Sequence, residues 1–282
     1  MVKYHNLNGE IVNASQAQIY VNDVGLLRGY GIFDFFPVVN FKPLFEEDYF
    51  NRFFTSAQLM NLTVPISRAE LHDRVVQLAK ENQIGKGYMK LVLTGGYAAD
   101  GYTPGISNLF ILQHEDINKD PAVYAKGITL LLQKYLKDQP QIKTLHYANA
   151  LKKRDILAET GAMDLLYHDG RNIRETSRAN FFIVDQNDQL HTTEADVLSG
   201  ITRKHVINVA RKQGYSVYEE RLPLTDLLEA KECFITSTTK GILPVSRIND
   251  LVVGSGKAGE VSIRLQECYL RYCDEISNTI NS

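Results

Sequence analysis

The sequence predicts an α+β fold in two domains, from its length, the order of its apolar runs and one polar break. At 282 residues the chain exceeds the commonest single-domain size and falls short of three such domains. Short β-branched and aromatic runs mix with amphipathic stretches in no regular βαβ alternation, which favours α+β over a doubly wound sheet. Glu115-Asp116-Ile117-Asn118-Lys119-Asp120-Pro121 is polar and turn-rich. Read as a linker over 115–122, it separates a small N-terminal α+β domain, 1–114, from a larger C-terminal domain, 123–282, that would carry the chemistry.

Within the first domain, strands are expected at 18–21, 31–39, 88–93 and 109–113. Ser67-Arg68-Ala69-Glu70 is a capping-box pattern, after which Leu71, Val75, Leu78 and Ala79 share one helical face until Gly85. Beyond the linker, strands are expected at 128–133, 164–168, 180–185 and 232–236, with Asp185-Gln186-Asn187-Asp188 as a hairpin turn. Helices are expected at 148–160, 202–213, 224–231 and 260–276.

Composition excludes several classes of function. Hydrophobic residues at 44 % and charged residues at 23 % are ordinary for a globular protein, so disorder and collagen-like repetition are not indicated. The 31 basic and 33 acidic side chains nearly cancel, and no basic run tracks a nucleic-acid backbone. No apolar stretch approaches the roughly 20 residues that span a bilayer, and Met1-Val2-Lys3-Tyr4-His5-Asn6 lacks a signal-peptide core. A cytoplasmic protein without membrane or nucleic-acid partners is expected. Cys233, Cys268 and Cys273 form no CxxC pattern, the histidines show no HxxxH or HExxH spacing, and GxSxG is missing. No metal site or hydrolase triad is therefore expected. The glycine-rich stretch from Thr94 to Tyr102 lacks the Lys-Ser/Thr of a P-loop and reads as a loop.

Three segments carry chemistry. Leu198-Ser199-Gly200-Ile201-Thr202-Arg203 opens a helix, and a glycine there lets unpaired N–H groups approach an anion; it is also ordinary helix punctuation. Thr236-Ser237-Thr238-Thr239 ends an apolar strand with four hydroxyls, suited to phosphate oxygens or to a plain Ser/Thr turn. Lys143, in Ile142-Lys143-Thr144-Leu145, could be a solvated lysine or, if partly desolvated, a nucleophilic amine.

Taken together with Glu175-Thr176-Ser177-Arg178-Ala179-Asn180-Phe181-Phe182, these blocks resemble, in order and approximate spacing, the motifs of class IV (fold type IV) pyridoxal-phosphate-dependent aminotransferases. The resemblance implies the two-domain fold of those enzymes and pyridoxal 5'-phosphate as cofactor. It implies that Lys143 forms the Schiff base and that Glu175 faces the pyridine nitrogen. Gly200, Ile201, Thr202, Thr238 and Thr239 would bind phosphate, with Arg52 completing the set and Leu198 packing on the ring. Tyr147 falls within a residue of the family tyrosine beside the cofactor's phenolic oxygen. It also implies a homodimer in which the small domain of one subunit closes the active site of the other.

Within that family, chain length, Gly29-Tyr30-Gly31-Ile32-Phe33-Asp34 and the four-hydroxyl block are similar to D-amino-acid transaminases, with 2-oxoglutarate or pyruvate as acceptor. The positions of their usual tyrosine, arginine and histidine carboxylate trap hold Phe33, Ala99 and Gly101. Arg28, Lys90 and Arg178 offer other cations, and Arg28 and Arg178 could form a replacement clamp or be solvated arginines. Alternatives are a branched-chain L-amino-acid aminotransferase, an aminodeoxychorismate lyase, or a non-catalytic carrier of the cofactor. Retention of both Lys143 and Glu175 argues against the carrier.

Overall fold

The computed structural model describes residues 1–279. The chain separates into two compact units, one of Met1–Ile117, Ile142–His146 and the C-terminus from Glu275, the other of Asn118–Gln141 and Tyr147–Asp274. The first break lies inside the polar 115–122 segment. The return of 142–146 to the first unit differs from the sequence reading, which gave Lys143 to the C-terminal domain.

The first unit contains β1 (Tyr4–Leu7), β2 (Glu10–Asn13), α1 (Val24–Arg28), β3 (Gly31–Val39), β4 (Lys42–Pro43), α2 (Glu46–Leu59), α3 (Arg68–Glu81), β5 (Lys86–Thr94) and β6 (Asn108–Glu115). Among the described residues the strands form a six-stranded sheet ordered β2-β1-β6-β5-β3-β4. Alternation along β3 sends Ile32, Phe36 and Val38 into the core, where Phe36 meets Tyr49 and Phe50 of α2. Phe33 and Phe35 therefore point to the opposite, half-buried face. Helix α3 starts at the expected cap, with Ser67 Oγ accepting the Glu70 N–H, and buries Leu71, Val75, Leu78 and Ala79. Helix α2 was not foreseen, although Glu46, Glu47 and Asp48 favour its N-terminus and Tyr49, Phe50, Phe53 and Ala57 line its buried face.

No strand forms at 18–21; the segment is irregular, and Tyr20 and Val21 are largely exposed. Its β-branched and aromatic residues suggested a strand, but none of the paired strands includes it. The chain instead runs on into the short helix α1, anchored by one buried side chain. Asp23 Oδ1 caps the Gly25 N–H, while Oδ2 accepts from Thr94 Oγ1 and Asn108 Nδ2, each at 2.7 Å.

The second unit contains α4 (Pro121–Lys126), β7 (Ile128–Lys134), α5 (Ala148–Leu151), α6 (Arg154–Thr160), β8 (Asp164–His168), β9 (Asn172–Thr176), β10 (Asn180–Val184), β11 (Leu190–Thr193), α7 (Ile201–Lys212), β12 (Val217–Glu220), β13 (Leu222–Pro223), β14 (Glu232–Ser237), β15 (Gly241–Ile248), β16 (Leu251–Val252) and, as far as Asp274, α8 (Glu260–Thr279). Among the described residues its strands form a ten-stranded mixed sheet. Strand β10 is buried on both faces, which explains its unbroken apolar sequence. Phe182, Val184 and Phe234 pack with α7 and α8, while Phe181, Ile183, Cys233 and Ile235 belong to the core of the other face.

Two helices differ from expectation. The 148–160 stretch breaks into α5 and α6, neither of which buries a residue, so no apolar face holds one continuous rod. Residues 224–231 give only a 3₁₀ turn over Leu224–Leu228, because Lys231 already donates its N–H to Val184 on the neighbouring strand.

Replacing Asp23 with alanine leaves three buried donors without their acceptor, so the protein should lose about 1–3 kcal/mol of stability. Thermal denaturation measures this; an unchanged midpoint contradicts the anchoring role.

Candidate active site

In the first unit, the segment bearing Lys143 lies along β3. Phe33 donates its N–H to the Lys143 carbonyl at 2.9 Å, and Leu145 donates to the Gly31 carbonyl at 3.1 Å. Gly31 permits this approach, since a Cβ there would sit 2.7 Å from the Leu93 carbonyl oxygen and 2.8 Å from Leu145 Cδ1. These backbone bonds are why Lys143 belongs to this unit. Its ammonium lies 4.8 Å from the centre of the Phe33 ring, and that of Lys90 lies 4.9 Å from the same ring. Lys90 sits opposite Phe35 in the β3–β5 ladder, and burial pushes its ammonium below the usual lysine range.

Arg52, expected to complete the phosphate site, projects from α2 onto Asp34. Its Nε donates to Asp34 Oδ2 at 2.9 Å and its Nη2 to Oδ1, and Asp34 is buried. Arg28 ends α1 with its side chain exposed.

In the second unit the chemistry gathers around a buried carboxylate. Glu175, 3 % exposed on β9, accepts from Lys137 Nζ at 2.7 Å on Oε1. Its Oε2 accepts from the Leu198 N–H at 3.2 Å and from Asn180 Nδ2 at 3.3 Å. Asn180 also donates to the Leu198 carbonyl at 2.8 Å and pairs with Thr236 in the β10–β14 ladder. A Cβ on Gly200 would fall 1.9 Å from Asn180 Oδ1, so only glycine lets the chain turn there into α7.

The same unit holds donors that the protein leaves unmet. Helix α7 begins after Gly200 with no side-chain cap and no acidic residue in its first turn. Among the described residues, the hydroxyls of Thr202, Thr236 and Ser237 are buried without a hydrogen-bond partner. Buried polar groups in native proteins are almost always paired, so these fit an anionic group such as phosphate. Thr238 and Thr239 lie half-buried in the turn between β14 and β15. Tyr147 starts α5, half-buried, and is one of the groups that, after burial itself, hold the Tyr167 phenol protonated. Arg178, mostly exposed, places Nε 3.8 Å from Asp164 Oδ2. Close by, Lys240 is pushed below the usual lysine range by burial and then by the Arg178 charge.

A family model for amino-transferase class IV matches residues 31–248. The chain belongs to the class IV aminotransferases. D-alanine aminotransferase of Listeria monocytogenes serotype 1/2a (strain 10403S) is 27 % identical, covering 96 % of this chain and 97 % of that protein. A putative branched-chain-amino-acid aminotransferase of Methanocaldococcus jannaschii is 31 % identical, covering 93 % of each. The solved structure of the branched-chain amino acid aminotransferase from Escherichia coli matches with TM-score 0.85 at 22 % identity, over 96 % of this chain and 94 % of that one. That likeness establishes the α+β fold of the family. Class IV aminotransferases depend on pyridoxal 5'-phosphate, and the unmet hydroxyls and the uncapped helix of the second unit suit its phosphate.

Sequence did not single out Lys137 or Asn180, while Thr236 and Ser237 entered it only as members of the four-hydroxyl block suited to phosphate oxygens. Lys137 lies outside every motif, while Asn180, Thr236 and Ser237 sit inside motif blocks whose other residues drew the assignment. Among the described residues no helix is long and apolar enough to cross a membrane, and no side-chain group forms a metal cluster.

Two substitutions check the assigned roles. Lys143→Ala should lose the visible absorbance of the covalently bound cofactor and its turnover; borohydride labelling of a different lysine in the wild type rejects the assignment. Glu175→Gln should retain cofactor while turnover falls roughly 100-fold, and near-normal turnover at saturating cofactor removes Glu175 from the site.

Proposed function

We propose that this aminotransferase moves amino groups between D-amino acids and 2-oxo acids, with 2-oxoglutarate or pyruvate as acceptor. Bound pyridoxal phosphate supplies a carbonyl that captures the substrate amine and a ring that takes up electrons as the α-proton leaves. Lys143 would hold the cofactor covalently through Nζ, and the same amine, when free, would move the substrate α-proton. The Glu175 carboxylate holds a proton on the ring nitrogen. The N–H groups of Ile201 and Thr202, with the hydroxyls of Thr202, Thr236 and Ser237, bind the phosphate, joined by Thr238 and Thr239. Leu198 would pack on the ring and Tyr147 would hold its phenolic oxygen.

The observation that carries the D reading is the exchange of the usual trap for Phe33, Ala99 and Gly101 in a chain that supplies cations elsewhere. A substrate carboxylate left unpaired in a desolvated pocket costs several kcal/mol. Arg28 and Arg178 are assigned as its clamp. Lys90, held beside Phe33, and Lys240, near Arg178, add positive charge to their respective units. Carboxylate placement decides which α-hydrogen faces Lys143, and so decides stereochemistry. The Methanocaldococcus relative supports a second reading, a branched-chain L-amino-acid aminotransferase.

The working form is a homodimer in the cytoplasm. Ile19, Tyr20, Val21, Leu26, Leu27, Tyr102 and Ile106 are exposed in the first unit beside Arg28. Tyr20 meets Tyr97 at 5.0 Å between ring centroids, and Leu27 Cδ1 lies 3.5 Å from where a Gly101 Cβ would stand, which links parts of this apolar surface to the 97–102 loop. Arg28 would act across the interface. The three cysteines are free, as suits a reducing compartment.

Single-turnover half-reactions over matched D- and L-amino acids test the substrate. D-Alanine and D-glutamate should react faster than their enantiomers, and Arg28→Ala or Arg178→Ala should each lower kcat/KM, by roughly 2–5 kcal/mol if the pair is buried around the bound carboxylate. Normal rates in both variants remove the clamp, and a preference for L-leucine or L-isoleucine establishes the branched-chain reading instead. Sedimentation should give a dimer; an active monomer overturns the shared site.

A further inference from the structure

We propose that Lys137 is a positioning residue for Glu175: its ammonium holds the buried carboxylate by one oxygen and sets a fixed positive charge against it, so that the proton shared with the cofactor's ring nitrogen rests on the nitrogen. The proposal rests on the reading of Glu175 as the ring-nitrogen partner.

Lys137 follows β7 and reaches Glu175 Oε1 at 2.7 Å, with the Ser177 carbonyl 3.5 Å from its Nζ and the Tyr167 ring centre at 5.8 Å. Burial alone drives a carboxylate toward its neutral acid, and a neutral acid cannot hold a proton on a neighbouring base by charge. Three donors oppose that drift, but only Lys137 carries charge; the other two are the Asn180 amide and the Leu198 N–H. The ammonium is in direct contact with the carboxylate, and a base hydrogen-bonded to Glu175 stands one group further off, so the charge acts more strongly on the carboxylate than on that base.

Among the described residues lining the adjoining cavity, no other group replaces this charge. Lys137 and Glu175 line a cavity of about 220 Å³ with Tyr135, Asp138, Tyr167, Arg174 and Asp196. The Arg174 guanidinium is held by Asp169 at 2.8 Å and Asp196 at 3.1 Å, so its charge is already answered. Burial, reinforced by Asp164, Tyr135, Tyr147 and Glu175, raises the Tyr167 phenol well above the usual range, so it adds no charge. Asp164 accepts hydroxyls from Thr176 and Ser177 and adds only negative charge. The cavity has room for several waters at about 30 Å³ each, but water supplies no fixed cation.

Lys137→Met, Lys137→Arg and Glu175→Gln proteins, each reconstituted with isotope-labelled pyridoxal phosphate, test this by nitrogen NMR of the ring atom. The wild type and Lys137→Arg should show a protonated ring nitrogen at neutral pH. Lys137→Met should move that signal toward the unprotonated value and slow kcat about tenfold or more, with KM little changed. Lys137→Gln keeps a donor without the charge and should behave like the Met variant, which covers a Met protein that fails to hold cofactor. A protonated nitrogen in both uncharged variants overturns the proposal while leaving Glu175 in place. A wild-type signal in Glu175→Gln removes Glu175 from the ring nitrogen, and the proposal falls with it.

Discussion

A carboxylate buried as deeply as Glu175 is tolerated only where its lone pairs are met, and the second unit is arranged to meet them. Lys137 answers one oxygen; Asn180 and the Leu198 N–H answer the other. Asn180 ties three elements through one amide. It opens β10, it pairs with Thr236 at the end of β14, and it holds the Leu198 carbonyl just ahead of α7. The unmet hydroxyls of Thr236 and Ser237 are therefore placed by the strand that pairs with Asn180, and that of Thr202 lies just past the turn whose Leu198 carbonyl Asn180 holds. Moving Glu175 would disturb the turn at Gly200, where no side chain fits beside Asn180.

The first unit solves a different problem, that of holding a lysine at a sheet edge. The Lys143 segment adds itself to β3 by backbone hydrogen bonds, and Gly31 leaves room for Leu145. Strand alternation then decides which side chains share the open face. Ile32, Phe36 and Val38 go to the core, so Phe33 and Phe35 face outward with Lys90 across the ladder. Desolvation there lowers the affinity of Lys90 for its proton, which leaves its charge poorly solvated and ready for an anionic partner. On the core side, Asp34 is paired to Arg52, so the arginine is oriented by the sheet before any ligand arrives.

Much of this was legible in the residues, for reasons that are local. The Ser67 capping box and the spacing of Leu71, Val75 and Leu78 specify α3 without outside help. The motif blocks around Lys143, Glu175, Gly200 and Thr236 revealed the family because their chemistry is concentrated in short runs. Long-range facts were hidden. Residues 142–146 join a strand more than 100 positions earlier in the chain, which no window of sequence displays. The 18–21 run has strand composition and no strand to pair with, and 148–160 has helical composition with no core to bury against. Lys137 belongs to no motif, and only the fold brings it to Glu175.

The central claim is that the second unit grips the cofactor by its two ends, ring nitrogen and phosphate, while Lys143 makes the covalent bond. A crystal structure of the protein saturated with pyridoxal 5'-phosphate tests it most directly. It should show the ring nitrogen hydrogen-bonded to Glu175, the phosphate on the first turn of α7 with Thr202, Thr236 and Ser237, and continuous density to Lys143 Nζ. Density continuous with another lysine, or a ring nitrogen facing away from Glu175, would contradict the account.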